Sequence, residues 1–233
     1  MHAPARLTAL TTTLVGGSIT GVFLLADSAR EHDGLSAAVD PHVAADAVNA
    51  RSAPLTAAAK LLTLVGSEAV VGALALLLII ALLERRGPFF AMSAAAAMGV
   101  SASLTLGVKQ LVARHRPGSG IRLGAVDRTY SFPSGHTLNS AVFLGLVVIL
   151  LVPLLHRRRQ RIAVTCCLAL LAVGIGLSRV YLGYHWASDV IASWLLAAAI
   201  LALVGLVSAI WVRTPGRTDR SGADQVPAPN VTP

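Results

Sequence analysis

Charge is scarce in this chain. Charged side chains make up 13 % of its 233 residues, against about 25 % in an ordinary soluble domain. Cysteine is scarcer still. Cys166 and Cys167 are the whole supply and stand side by side in an apolar run. That excludes a disulfide framework and any Cys/His metal pattern, and the pair reads as two small buried hydrophobes. Lysine is almost absent: of 19 basic residues, all but Lys60 and Lys109 are Arg. Aromatics contribute only 5 %. What fills the chain is apolar, 55 % of residues with a mean hydropathy of +0.71. So little polar surface cannot cover a water-soluble fold, so the chain is solvated by lipid. A soluble enzyme, an intrinsically disordered chain and a nucleic-acid module are poor descriptions of it. The net charge of +8 and pI near 10.7 would otherwise suggest nucleic acid.

A hydrocarbon core about 30 Å thick needs roughly 20 apolar residues of helix. Six stretches supply them: Leu7 to Ala26, Val65 to Leu83, Pro88 to Val108, His136 to Leu155, a shorter Ile162 to Leu177, and Trp186 to Trp211. The expected fold is all-α, a polytopic bundle of about six transmembrane helices. Asp27 to Arg51 is charged and Ala-rich, cannot span, and is expected to hold a short interfacial helical segment. Pro54 to Leu62 reads as a short helix leading into the second span. Ser67 and Glu68 suit that span's N-terminus, where the hydroxyl caps and the carboxylate meets the dipole. The first run, behind Arg6 and ahead of Ala26, Ser28 and Ala29, also resembles a signal peptide; its length favours a retained helix. One membrane domain is expected over residues 1–212, with its core at 40–212. The Pro-, Gly- and Arg-rich tail 213–233 is expected to be disordered.

Six spans place both termini on one side. That side carries ten basic residues, clustered as Arg85-Arg86, Arg157 to Arg161, and the positions after Arg213; the other carries eight. The clustering in short loops makes the first side cytoplasmic. Positive charge on the outer side then needs its own explanation, and it gathers around three polar motifs.

The first motif is Lys109, six residues, Arg116-Pro117. A lone Lys109 would be a snorkelling anchor, but Arg114 and Arg116 crowd beside it. The second is Pro133-Ser134-Gly135-His136, at the start of the fourth span, where free N–H groups and the helix dipole make an anion seat; a plain cap by Ser134 is the alternative. The third is Ser178-Arg179, five residues, His185, three residues, Asp189. Four apart on a helix, His185 and Asp189 share a face, and the carboxylate can hold one ring nitrogen as N–H while leaving the other free. Tyr181, Tyr184 and Trp186 suit an aromatic belt. Alternate loops bring the three motifs to one membrane face. Three cations, Lys109, Arg116 and Arg179, imply a phosphoryl-type anion. Two histidines imply a nucleophile and a proton donor. With no carboxylate cluster for magnesium, the implied chemistry is phosphoryl transfer without metal or cofactor.

These eleven positions, in this order, resemble the three-part signature of the type 2 phosphatidic acid phosphatases, or lipid phosphate phosphatases, in their bacterial integral-membrane branch. The resemblance runs from about Asp40 to the sixth span; Thr137 and the Arg114-His115 pair are local variations that remove no catalytic group. It implies that His185 attacks phosphorus to form a phosphohistidine, held in its tautomer by Asp189, while His136 protonates the leaving group. It implies that Lys109, Arg116, Ser134, Gly135 and Arg179 hold the phosphoryl oxygens, and that the pH–rate profile is bell-shaped. The expected substrate is a lipid phosphate or diphosphate reached laterally from the bilayer at the outer face: a polyprenyl diphosphate, which the outward site slightly favours, phosphatidate or phosphatidylglycerophosphate. A haloperoxidase, an anionic-lipid flippase using the same cations without chemistry, and a non-catalytic scaffold are the competing readings. Nothing in the sequence specifies tail selectivity or oligomeric state.

Overall fold

The computed structural model describes residues 2–31 and 33–214, which form eight α-helices and no strand among them. These are α1 (His2–Glu31), α2 (Gly34–Asn49), α3 (Ala53–Val65), α4 (Glu68–Arg86), α5 (Pro88–Val112), α6 (Gly135–Leu150), α7 (Arg158–Tyr181) and α8 (Ala187–Arg213). Single 3₁₀ turns lie at Ser119–Ile121 and Val152–Leu154. Nearly all of the tail expected to be disordered lies outside the described residues.

Five helices are long and apolar enough to cross a membrane alone: α1, α5, α6, α7 and α8. Neither α3 nor α4 passes that test by itself. Joined across a 47° bend they do, which makes six spans when the bent pair is counted as one. The chain is therefore a multi-pass membrane protein. The bend has a local cause. Gly66 is the C-cap of α3 and Ser67 the N-cap of α4, its Oγ accepting the Val70 N–H at 3.4 Å. Gly66 beside it lies so close to α7 that a Cβ there would stand 2.4 Å from Ile175 Cγ2.

Helix α6 is central. Of its span, 61 % is buried, against 17 % for α7 and 22 % for α1. Leu138, Val142, Leu146 and Leu150 give it a fully buried stripe packed against α4, α5 and α8. α1 packs along α8, and α3 against α7. The outer faces, such as Leu10, Phe23 and Leu24 on α1 and Leu170 on α7, stay exposed, as suits lipid-facing surface.

Three expectations need correction. Cys166 and Cys167 are exposed on α7 rather than buried, because apolar composition does not distinguish a protein-facing from a lipid-facing side. The fifth span is longer than expected, because Arg158, Arg159 and Arg161 begin α7 rather than precede it. The segment 27–51 is divided: Asp27 to Glu31 finish α1, and the separate helix is α2. One face of α2, at Ser36, Asp40 and Ala44, is buried.

Candidate active site

The ends of four helices meet on one face of the bundle: the C-termini of α5 and α7 and the N-termini of α6 and α8. Each sequence motif falls at one of these ends, and the loops between helices carry the remainder. Gly183, with φ +72°, turns the chain from α7 toward α8. Ala113, in the left-handed region at φ 51°, ends α5 and redirects the chain at Arg114.

His185 is buried at 3 % exposure. Its Nδ1 lies 3.3 Å from Asp189 Oδ2, and Arg116 Nη1 lies 3.1 Å from its Nε2. A guanidinium only donates, so Nε2 accepts and the ring proton sits on Nδ1, facing the carboxylate. Burial, reinforced by Arg116, Arg179, Lys109 and His136, holds the imidazole well below its ordinary pKa. The ring is thus neutral, with its Nε2 lone pair directed at Arg116. Asp189 is fully buried; its Oδ2 also accepts the Trp186 N–H at 3.0 Å.

Arg116 is held as a fork. It donates to the Thr129 carbonyl (2.8 Å), the Tyr184 carbonyl (2.7 Å) and Thr129 Oγ1 (2.9 Å), and pairs with Asp127 at 2.6 Å. Burial lowers its pKa against the pull of Asp127. For Asp127, burial would raise the pKa, but the Thr129 N–H and Arg116 outweigh it and hold the carboxyl below its usual range. Lys109 turns inward rather than snorkelling, donating to the Tyr130 carbonyl at 2.5 Å and to Thr129 Oγ1 at 3.3 Å. Arg179 donates from Nη1 to Thr63 Oγ1 and stacks over the Tyr184 ring at 4.3 Å, while its buried Nε has no partner among the described residues.

Ser134 is the N-cap of α6. Its Oγ accepts from Thr137 Oγ1 at 2.9 Å and from the Thr137 N–H at 3.4 Å, and its own N–H donates to Ser193 Oγ at 2.9 Å. Both Thr137 contacts use the acceptor side of its hydroxyl and leave the O–H to donate. Gly135 and His136, the first residues of the helix, keep amides with no intrahelical acceptor. His136 is half-buried, close enough for its charge to bear on His185. All eight residues singled out in the sequence therefore lie in one cluster.

A cavity of about 400 Å³ runs between α4 and α5, lined by Val71, Ala75, Met98, Ala102 and Leu106 and polar at Glu68, Thr105 and Asn139. Its polar end abuts the second motif: a Cβ on Gly135 would lie 3.0 Å from Thr105 Cγ2 and 3.2 Å from Glu68 Oε1.

Several residues at the site carry no motif signal. Asp127 and Thr129 hold Arg116, Thr63 holds Arg179, and Ser193 ties α8 to the Ser134 backbone. Arg114, a local variation by sequence, donates to Asp189 at 2.6 Å and to Asp40 of α2 at 2.6 Å. Its crowding beside Lys109 and Arg116 was the one available hint. Asp40 had none, since a single acid in an Ala-rich stretch looks like any solvated charge.

Parts of this chain match known proteins. The phosphatidylglycerophosphatase B of Bacillus subtilis is 33 % identical over 81 residues, 34 % of this chain and 39 % of that protein. The Escherichia coli K12 protein of the same name is 39 % identical over 74 residues, 32 % of this chain and 27 % of its own. The matched stretch thus spans well under half of these relatives. A crystal structure of a transmembrane PAP2 type phosphatidylglycerolphosphate phosphatase from Bacillus subtilis superposes with a TM-score of 0.67 at 23 % identity, covering 93 % of this chain and all of that one. At that identity the likeness is one of fold. Residues 90–213, more than half of the chain and all three motifs, match the PAP2 superfamily, and the chain belongs to that family.

Proposed function

We propose that this protein is a lipid phosphatase that hydrolyses a lipid phosphate or diphosphate through a phosphohistidine, without a metal. The observation that carries the reading is the state of His185: neutral, with its proton held toward Asp189 and its Nε2 lone pair facing the Arg116 guanidinium, in a site that also holds Lys109 and Arg179. A site built only to bind anions needs the cations but not this oriented imidazole, which disfavours a flippase.

In the first step, His185 Nε2 attacks phosphorus, the P–O bond to the leaving group breaks, and His136 gives its proton to the departing oxygen. In the second, His136 takes a proton from water as that water attacks the phosphohistidine, and the P–N bond breaks to release phosphate. Lys109, Arg116, Arg179 and the first amides of α6 take the phosphoryl oxygens. Preorganised donors of this kind supply most of the rate enhancement in phosphoryl transfer. The apolar cavity meeting Gly135 suits a hydrocarbon tail attached to that phosphate.

The relatives' names put phosphatidylglycerophosphate at the head of the candidate substrates, ahead of the polyprenyl diphosphate that an outward-facing site favours by itself. The basic clusters after α4, at the start of α7 and at the end of α8 support a reading with both termini in the cytoplasm and the site at the outer face. The test is phosphate release by detergent-purified protein, under excess chelator, from phosphatidylglycerophosphate, phosphatidate and a polyprenyl diphosphate, with His185→Ala alongside. Release from one lipid class, lost in the variant, is expected. Full activity in His185→Ala, or no release by folded protein that binds these lipids, would overturn the reading.

A further inference from the structure

Beneath the nucleophile lies a buried chain of alternating charge that no motif describes. Arg114 Nη1 donates to Asp189 Oδ1 at 2.6 Å and to Ser188 Oγ at 2.7 Å, and its Nη2 donates to Asp40 Oδ2 at 2.6 Å. Asp40 continues the chain: its Oδ1 accepts the Ser188 N–H at 2.9 Å and its Oδ2 the Ser188 hydroxyl at 2.5 Å. Exposure is 9 % for Arg114, 2 % for Asp40 and none for Asp189. The guanidinium also lies over the Trp186 ring at 5.4 Å. The left-handed turn at Ala113 aims Arg114 this way while Arg116, two residues on, faces His185.

The chemistry of the arrangement is specific. A fully buried carboxylate without a counter-charge is costly, and Asp189 is useful to His185 only as an acceptor. Arg114 supplies the counter-charge. It occupies Oδ1, which leaves Oδ2 for the imidazole N–H, and so fixes the plane of the carboxylate. Asp40 in turn balances Arg114 and caps α8 from outside the helix. The planar fork matters, since an ammonium would be a single point charge between two carboxylates. We propose that Arg114, braced by Asp40, is a positioning residue for the nucleophile, acting on His185 through Asp189. The α2 helix, outside the matched family region, thereby becomes part of the catalytic apparatus. The inference rests on the phosphohistidine reading above.

The test uses phosphatidate in detergent micelles, with inorganic phosphate as a competitive probe of the anion seat. Arg114→Lys keeps the charge and loses the fork, and Asp40→Asn keeps the shape and loses the charge. Each is expected to lower kcat, Arg114→Lys by about 10–100-fold, the range typical of partners that orient a functional group. The KM and the phosphate inhibition constant should move by less than about 3-fold, as for a group that does not touch the anion. On an Asp189→Asn background the same Arg114→Lys change should cost less than about 3-fold more, because both act along one path. A kcat near the parent's, a parallel rise in the phosphate inhibition constant, or losses that multiply on the Asp189→Asn background would each overturn the proposal. Asp40→Asn reports independently should Arg114→Lys fail to fold. His185→Ala measured beside them separates the two failures. An active His185→Ala sinks the phosphatase reading, whereas an inactive one with unaffected Arg114→Lys and Asp40→Asn sinks this inference alone.

Discussion

The sharpest perturbation of the site exchanges one heavy atom and almost no volume: Asp189→Asn. In the native arrangement one carboxylate oxygen serves Arg114 at 2.6 Å, while the other serves His185 Nδ1 at 3.3 Å and the Trp186 N–H at 3.0 Å. All three partners donate. An amide brings its own donors and can be placed in two ways. With its oxygen toward Arg114, its NH₂ faces the Trp186 N–H and drives the ring proton to Nε2, where Arg116 already donates from 3.1 Å. With its NH₂ toward Arg114, two donors oppose each other across 2.6 Å in a buried site. Either placement removes the lone pair the reaction needs or misplaces the ring that bears it. The corresponding change in a serine-protease triad costs about 10⁴-fold in kcat. A loss of about 10³–10⁴-fold is therefore expected, or about 4–5.5 kcal/mol of barrier. KM should stay within about 3-fold, since Asp189 does not reach the phosphate. Steady-state phosphate release in micelles measures both, and a folded variant with kcat within about tenfold of the parent would refute the tautomer argument.

Two further results are expected. The folded-state pKa of His185 lies below its unfolded value, so below about pH 6.5 the unfolded chain takes up a proton the folded protein refuses. Stability should fall as pH drops, by up to about 1.4 kcal/mol per unit from this group. Thermal unfolding in detergent from about pH 7.5 to 5.5 should be less steeply pH-dependent in His185→Gln, and an equal slope would count against it. Gly183→Ala combines a left-handed backbone (φ +72°) with a Cβ 2.3 Å from the Ile121 carbonyl oxygen. It should cost about 1–3 kcal/mol and lower kcat, because His185 stands two residues further on. An unchanged melting temperature and activity would show that the loop at Ile121 yields freely.

The spans were legible because lipid solvation makes hydropathy nearly sufficient. The motif residues were legible because each sits at a helix end, where anion seats and capping leave a local pattern. Other features leave no such pattern. The buried face of α2 turns on Asp40, a polar residue whose burial depends on partners 74 and 148 positions away. The same distance hides the role of Arg114. Its sequence neighbours Ala113 and His115 say nothing of its partners, and its two carboxylates come from α2 and α8. The cysteines were misplaced for the opposite reason: an apolar residue in a membrane helix is equally at home against protein or lipid, and composition carries no direction.

The Arg116 contact with His185 has a consequence for selectivity. At rest a guanidinium N–H covers the Nε2 lone pair of His185, the proposed nucleophile. A neutral electrophile offers that guanidinium nothing in exchange, so the imidazole stays masked against alkylation as well as against stray protons. A phosphoryl anion does offer an exchange, because it draws the N–H groups of Arg116 to its own oxygens, and in doing so it exposes Nε2 beside the phosphorus. Reactivity is then released by the charge of the incoming molecule, before any feature of its tail is read.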